Sequence, residues 1–240
     1  SLNKNTGELV GEDGSGASQF ALHAAWSSLT FGRVNNQEML FWGGTDGICY
    51  GYKNKTIKEE DGYELYEPLW KVDCNEPSYR KDKEGKKIPY ATPPGPSELI
   101  GTPVLYKDKI YCAIGQDPEH GDGVGRLSCI DAKNGNVIWK YTDVGRTIST
   151  VSVADDLVYL AEYAGLIHCL DANSGKVYWT HDSFSRIWGS TLVANGKVIL
   201  GNEDGDILIM DHGKTKPKVK TVDMGAPVYS SPVVANGVLY

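Results

Sequence analysis

Between residues 147 and 212, apolar side chains recur at every second position in short runs, and each run stops at a pair of turn-forming residues. "TVSVA" (150–154) and "STLVA" (190–194) alternate, Asp155-Asp156 and Asn195-Gly196 follow, and "LVYLAE" (157–162) and "KVILGN" (197–202) alternate again. Period-two alternation marks strands with one face on a core, and these turn pairs suit the positive φ that a two-residue hairpin needs. Third runs, "RLSCIDA" (126–132) and "LIHCLDA" (166–172), are divided from fourth runs, "NVIWKY" (136–141) and "KVYWTH" (176–181), by Asn134-Gly135 and Ser174-Gly175. The pattern predicts four short antiparallel strands per unit, and no helical-period window competes with it.

The units recur at a fixed interval. Asp131, Asp171 and Asp211 are 40 residues apart, as are Gly125, Gly165 and Gly205, and Trp139 and Trp179. A single four-stranded sheet cannot bury both faces, so equivalent sheets must stack, and radial stacking gives a propeller. The expected fold class is all-β: a β-propeller of four-stranded antiparallel blades, forming one domain over 1–240. Complete blades are expected at about 22–75, 98–142, 147–182 and 187–222, with half blades at 1–12 and 226–240. Trp70 marks the closing strand of the first blade, and the polar segment 76–98 reads as a long loop. The half units suggest an excerpt of a longer chain whose edge strands need a partner or more blades.

Composition narrows the function classes. Hydrophobic residues make up 40% of the 240, an ordinary globular share, and no run approaches the ~18 apolar residues of a membrane helix. The first ten residues, "SLNKNTGELV", lack the charged and apolar regions of a secretory signal. A net charge of -7, with lysines spread along the chain, argues against nucleic acid as a partner. The five cysteines (49, 74, 112, 129 and 169) form no C-x-x-C pair, and three of them sit in alternating apolar runs as small hydrophobes. Their disulfide state stays open.

Candidate chemistry is sparse. The loop "QDPEHGDG" (116–123) gathers Asp117, Glu119, His120 and Asp122. A glycine-rich acidic loop offers the oxygens that a hard cation such as calcium takes, yet Asp-Pro and Gly-Asp-Gly are also plain turn chemistry. No metal is expected, with Asp117, Glu119 and Asp122 as weak candidates. His168 lies in a strand and reads as structural, whereas His23 and His181 are expected at blade tops near a central channel, and Trp188 at its mouth. Trp70, Trp139 and Trp179 hold equivalent strand positions and read as packing residues. No hydrolase, zinc-protease or phosphate-loop motif is present.

The run Leu170-Asp171-Ala172-Asn173-Ser174-Gly175-Lys176-Val177-Tyr178-Trp179 resembles the tryptophan-docking motif of PQQ-like (quinoprotein alcohol dehydrogenase-like) propellers. Asp131, Gly135 and Trp139 match it again; Asn3, Thr6 and Gly7 match without the tryptophan; Asp211 and Gly213 match weakly. Longer phrases such as "HAAWSS", "GTDGICYGY" and "SSPVVANGVLY" look like the PQQ-binding-like propeller proteins of planctomycete-type bacteria, whose role is unassigned. The resemblance implies a parent of seven or eight blades and a periplasmic or other extracytoplasmic site. It also implies that the aspartate and glycine shape a turn while the tryptophan packs between blades. Quinoprotein dehydrogenases hold PQQ beside a vicinal disulfide and a calcium ion, and this chain has no Cys-Cys pair, so no cofactor is expected.

Three functions follow as expectations. The first is a non-catalytic scaffold for protein–protein interaction in the cell envelope, its partner another protein or the remainder of the same polypeptide. The second is a PQQ- or metal-dependent oxidoreductase whose cofactor residues lie outside this excerpt. A carbohydrate- or small-ligand-binding propeller is the third. Enzyme status is left open, leaning to none.

Overall fold

The structure is a computed structural model that describes residues 1–58, 64–90, 92, 95–120 and 123–240. After β1 (Glu12–Asp13), the first large sheet comprises β2 (Thr30–Val34), β3 (Gln37–Gly43), β4 (Ile48–Lys53) and β7 (Pro68–Asp73). Between β4 and β7, β5 (Ile57–Lys58) and β6 (Glu64–Tyr66) join β1 in a small side sheet. The second blade holds β8 (Val104–Tyr106), β9 (Lys109–Ile114), β10 (Arg126–Asp131) and β11 (Val137–Tyr141). The third holds β12 (Ser152–Ala154), β13 (Leu157–Ala161), β14 (Leu166–Asp171) and β15 (Val177–Asp182). The fourth holds β16 (Leu192–Ala194), β17 (Lys197–Gly201), β18 (Asp206–Asp211) and β19 (Val219–Asp223). A hairpin of β20 (Val234–Ala235) and β21 (Val238–Leu239) follows.

Each large sheet is an antiparallel meander, and the repeat aspartates share one register: Asp131 pairs with Lys109, Asp171 with Leu157, and Asp211 with Lys197. The hairpin turns take the left-handed backbone their residues suggest, with φ of 48° and 60° at Asp155-Asp156 and 48° and 69° at Asn195-Gly196. Asn35-Asn36 and Lys107-Asp108 turn in the same way. The chain is an all-β propeller, as the alternation predicts. No helix among the described residues is long and apolar enough to cross a membrane.

Alternation explains the stacking. In β9, Ile110, Cys112 and Ile114 pack with Met39, Phe41 and Trp70 of the first blade, while Tyr111 and Ala113 pack with Val158 and Leu160 of the third. Tyr159 and Ala161 then meet Val198 and Leu200 of the fourth blade. Successive side chains of one strand thus serve opposite neighbours, each fully buried valine, leucine, isoleucine, phenylalanine or methionine contributing about 1.5–3 kcal/mol.

A repeated contact ties each blade to the next. Nε1 of Trp70, Trp139 and Trp179 donates to the carbonyls of Ala132, Ala172 and Gly213 respectively, each at 3.0 Å. The first two accepting turns are built by the repeat aspartates. Asp131 Oδ1 accepts from the Lys133 amide at 2.8 Å, and Asp171 Oδ1 from those of Asn173 and Ser174 at 2.9 Å. Asn3 makes the same turn, accepting from the Asn5 amide at 2.9 Å. Gly135 and Gly175 close these turns at φ of 76° and 71° and lie against the preceding blade's tryptophan.

Two expectations need correction. Asp211 shares the strand register but builds no such turn, because Gly213 follows it by two residues instead of four, and its carboxylate accepts from Lys197 Nζ. The polar segment 76–98 is not loop throughout. Glu76 and Pro77 open one helical turn, α1 (Pro77–Arg80), and Arg80 anchors it by donating to Asp73 Oδ1 at 2.8 Å and to the Asp46 carbonyl at 2.6 Å. Further on, Glu98 pairs with Gly115 beside β9 and is buried.

Candidate functional site

The segments leading into the innermost strands converge, and a chain of hydroxyl contacts runs through them. The Ser28 amide donates to Thr102 Oγ1 at 3.2 Å, the Thr102 amide to Thr150 Oγ1 at 2.9 Å, the Thr150 amide to Ser190 Oγ at 2.9 Å, and the Ser190 amide to Ser231 Oγ at 2.7 Å. Two residues before each hydroxyl stand Trp26, Ile100, Ile148, Trp188 and Tyr229, and these five line one cavity of about 420 Å³. The cavity is the channel mouth. Asp117, Pro118 and Glu119 complete its wall.

Trp188 stands edge-on to Tyr163 and Tyr229, at ring-centroid distances of 5.1 and 5.6 Å. Its buried Nε1 has no hydrogen-bond partner among the described residues. Arg146 lies over the Tyr163 ring, 4.4 Å from its centroid. The mouth is therefore aromatic and apolar, with a carboxylate side and a cation nearby.

The carboxylate side is built around Asp117, just past β9. Its Oδ1 accepts from the Glu119 amide at 2.9 Å, and its carbonyl accepts from the His120 amide at 2.9 Å, which winds Pro118–His120 into a 3-10 turn. That turn swings His120 back over the aspartate. His23, from the lead-in to the first blade, arrives from the other side, so Asp117 Oδ2 lies 3.7 Å from Nδ1 of both histidines. Tyr90 supports the group: its ring stacks on His23 at 5.9 Å, and its hydroxyl accepts from the Asp117 amide at 3.2 Å. The same hydroxyl donates to Glu98 Oε1 at 3.1 Å. Burial pushes the Glu98 carboxyl up to about 7, opposed by the Tyr90 hydrogen bond and reinforced by the Asp117 charge.

Asp117 and Glu119 thus reach the channel mouth, while Asp122 lies outside the described residues. Trp188 also lines the mouth. His181 does not, because it lies in β15, the outermost strand of its blade; burial and the Lys216 charge lower its pKa. His168 is buried, 2.8 Å from Glu162 Oε1 through Nε2 and 3.3 Å from the Tyr141 hydroxyl through Nδ1. All five cysteines are free and buried, with the Sγ atoms of Cys74 and Cys112 3.7 Å apart. Sequence reasoning missed the meeting of His23 with Asp117 and His120, which no spacing announces. It also missed the hydroxyl chain, although a Ser or Thr recurs in "WSS", "GTP", "IST", "GST" and "SSP".

Stacked four-stranded sheets joined by tryptophan and hydroxyl contacts around a channel mouth define a β-propeller. Residues 123–240 match the family model described as Outer membrane protein assembly factor BamB. The fold is similar to that of BamB from Moraxella catarrhalis, with 14% identity, a TM-score of 0.64, and coverage of 91% of this chain and 56% of that one. It is also similar to a quinohemoprotein alcohol dehydrogenase from Comamonas testosteroni, with 12% identity, a TM-score of 0.64, and coverage of 92% and 39%. A chain of a mitotic checkpoint complex aligns with a TM-score of 0.58 at 12% identity. The chain has the fold of the PQQ-like β-propellers. It spans 56% of the BamB structure. No curated protein matches it in sequence.

Proposed function

We propose that this protein is a non-catalytic scaffold for protein–protein interaction in the cell envelope. The observation that carries the reading is the pair of open apolar faces at the two ends of the blade stack. Each inner blade buries both faces against neighbours. The first blade instead leaves Leu29 and Phe31 61% and 57% exposed, with Leu40, Trp42 and Tyr52 lining a groove of about 210 Å³. Beyond the fourth blade, Ile209, Val222, Met224 and Leu239 line another of about 290 Å³. Surfaces of this kind fit a second folded surface: a partner protein, or further blades of the same polypeptide. The match to a family described as an outer membrane assembly factor supports the envelope setting.

The test is photo-crosslinking from Phe31 and Val222 positions in the full-length protein in its native cells. A fixed protein adduct at either face supports the scaffold. Adducts confined to the same polypeptide, a stoichiometric quinone chromophore on the purified protein, or saturable glycan binding at the channel mouth would overturn it.

A further inference from the structure

We propose that His23, Asp117 and His120 form a binding site for one divalent transition-metal ion of the zinc class at the rim of the channel mouth. Their donor atoms all lie within 4.8 Å of one another. The two 3.7 Å separations from Asp117 Oδ2 are too long for hydrogen bonds, so these groups face each other without satisfying each other. His120 Nδ1 is buried and has no hydrogen-bond partner among the described residues. A tetrahedral zinc with bonds of ~2.0–2.1 Å spaces its ligand atoms at roughly 3.3 Å, so the two aspartate–histidine pairs close on an ion with a shift of about half an ångström, and the two histidine donors, within 4.8 Å of each other, draw together by a side-chain adjustment.

The donor set selects the metal. Two imidazoles and one carboxylate suit zinc and its transition-metal neighbours, whereas calcium and magnesium demand oxygen shells that this group lacks. The supporting contacts are those that orient ligands. Asp117 Oδ1 is held by the Glu119 amide, which leaves Oδ2 to the ion, and the Tyr90 ring lies 5.9 Å from both His23 and His120. Three protein ligands leave a fourth position for water or a ligand. Because Asp117 also lines the mouth, an ion there would add a positive charge to an otherwise apolar and acidic wall. It would also fasten the lead-in of the first blade to a loop of the second.

The chain, stripped with chelator, is titrated with Zn2+ by calorimetry and with Co2+ by visible absorption. The expected result is one equivalent of Zn2+ bound at micromolar affinity or tighter, and a cobalt d–d band of low coordination number without a thiolate charge-transfer band. His23→Ala and His120→Ala each weaken Zn2+ binding by at least ~100-fold and remove the band, while His181→Ala changes neither. His23 lies in an irregular, exposed segment, so its variant keeps the metal-free melting temperature and separates lost ligation from lost folding. No stoichiometric binding, binding that survives both substitutions, or a thiolate signature would overturn the proposal. These outcomes are independent of the crosslinking that tests the scaffold.

Discussion

Gly175 lies flat against the indole of Trp139, so close that a Cβ on the glycine would stand 2.6 Å from the ring, and the same tryptophan donates to the Ala172 carbonyl of that turn. One residue of each blade thus fits a space left by a missing side chain in the next. Trp139→Ala removes both the packing and the hydrogen bond, and is expected to cost about 3 kcal/mol in denaturant unfolding. Gly175→Ala adds strain at a φ of 71° and is expected to cost about 1–3 kcal/mol. In the double variant the two losses fall short of their sum, since both act on one contact.

Thr150 connects three blades, accepting from the Thr102 amide and donating its own amide to Ser190. Thr150→Val keeps the shape but leaves the Thr102 N–H without its acceptor. The expected loss is about 1–3 kcal/mol, with faster hydrogen exchange at Thr102, whereas Thr150→Ser retains the bond and stays near wild type.

Glu98 makes stability depend on pH. Its carboxyl titrates near 4.5 in the unfolded chain and at about 7 when folded. Between those values the folded state holds the extra proton, so stability falls as pH rises through this window and levels off above it. Glu98→Gln can still accept from Tyr90 and is expected to flatten that slope in melting experiments on chelator-treated protein. A slope unchanged in the variant would assign the dependence to another group.

Thiol chemistry should be silent in the native protein. A hydrogen bond to Cys112, together with burial, holds the Cys74 thiol well above its ordinary value, and burial pushes Cys129 and Cys169 up to about 11. A thiol-reactive dye at mildly alkaline pH is expected to label none of the five cysteines until denaturant unfolds the chain, and then all of them. Rapid labelling under native conditions would contradict their burial.

The fold was readable because its signals are local and repeated. The 40-residue interval of Asp131 and Asp171, the period-two alternation and the turn pairs each constrain a few adjacent residues, and all agree. Asp211 misled because the repeat preserves its strand position while the connection to the next strand, 212–218, is longer than the five-residue turn at 172–176 and places its glycine elsewhere. The channel mouth was half legible: Asp117 and Glu119 stand together in one loop, but His23 and Tyr90 reach them only through the curvature of the stack. Curvature is a property of how sheets pack, and single-strand patterns do not encode it. The recurrent Ser or Thr before each inner strand was visible but unassigned, since a hydroxyl in a turn has many ordinary uses.

The hydroxyl contacts bear on how such a protein can change over evolution. Thr102, Thr150 and Ser190 each offer an acceptor to the preceding unit and a donor to the following one, so every module carries both halves of its own fastening. An in-frame duplication of one module would enter the gene with its connectors already matched, and the stack would gain a member without any new interface having to be invented.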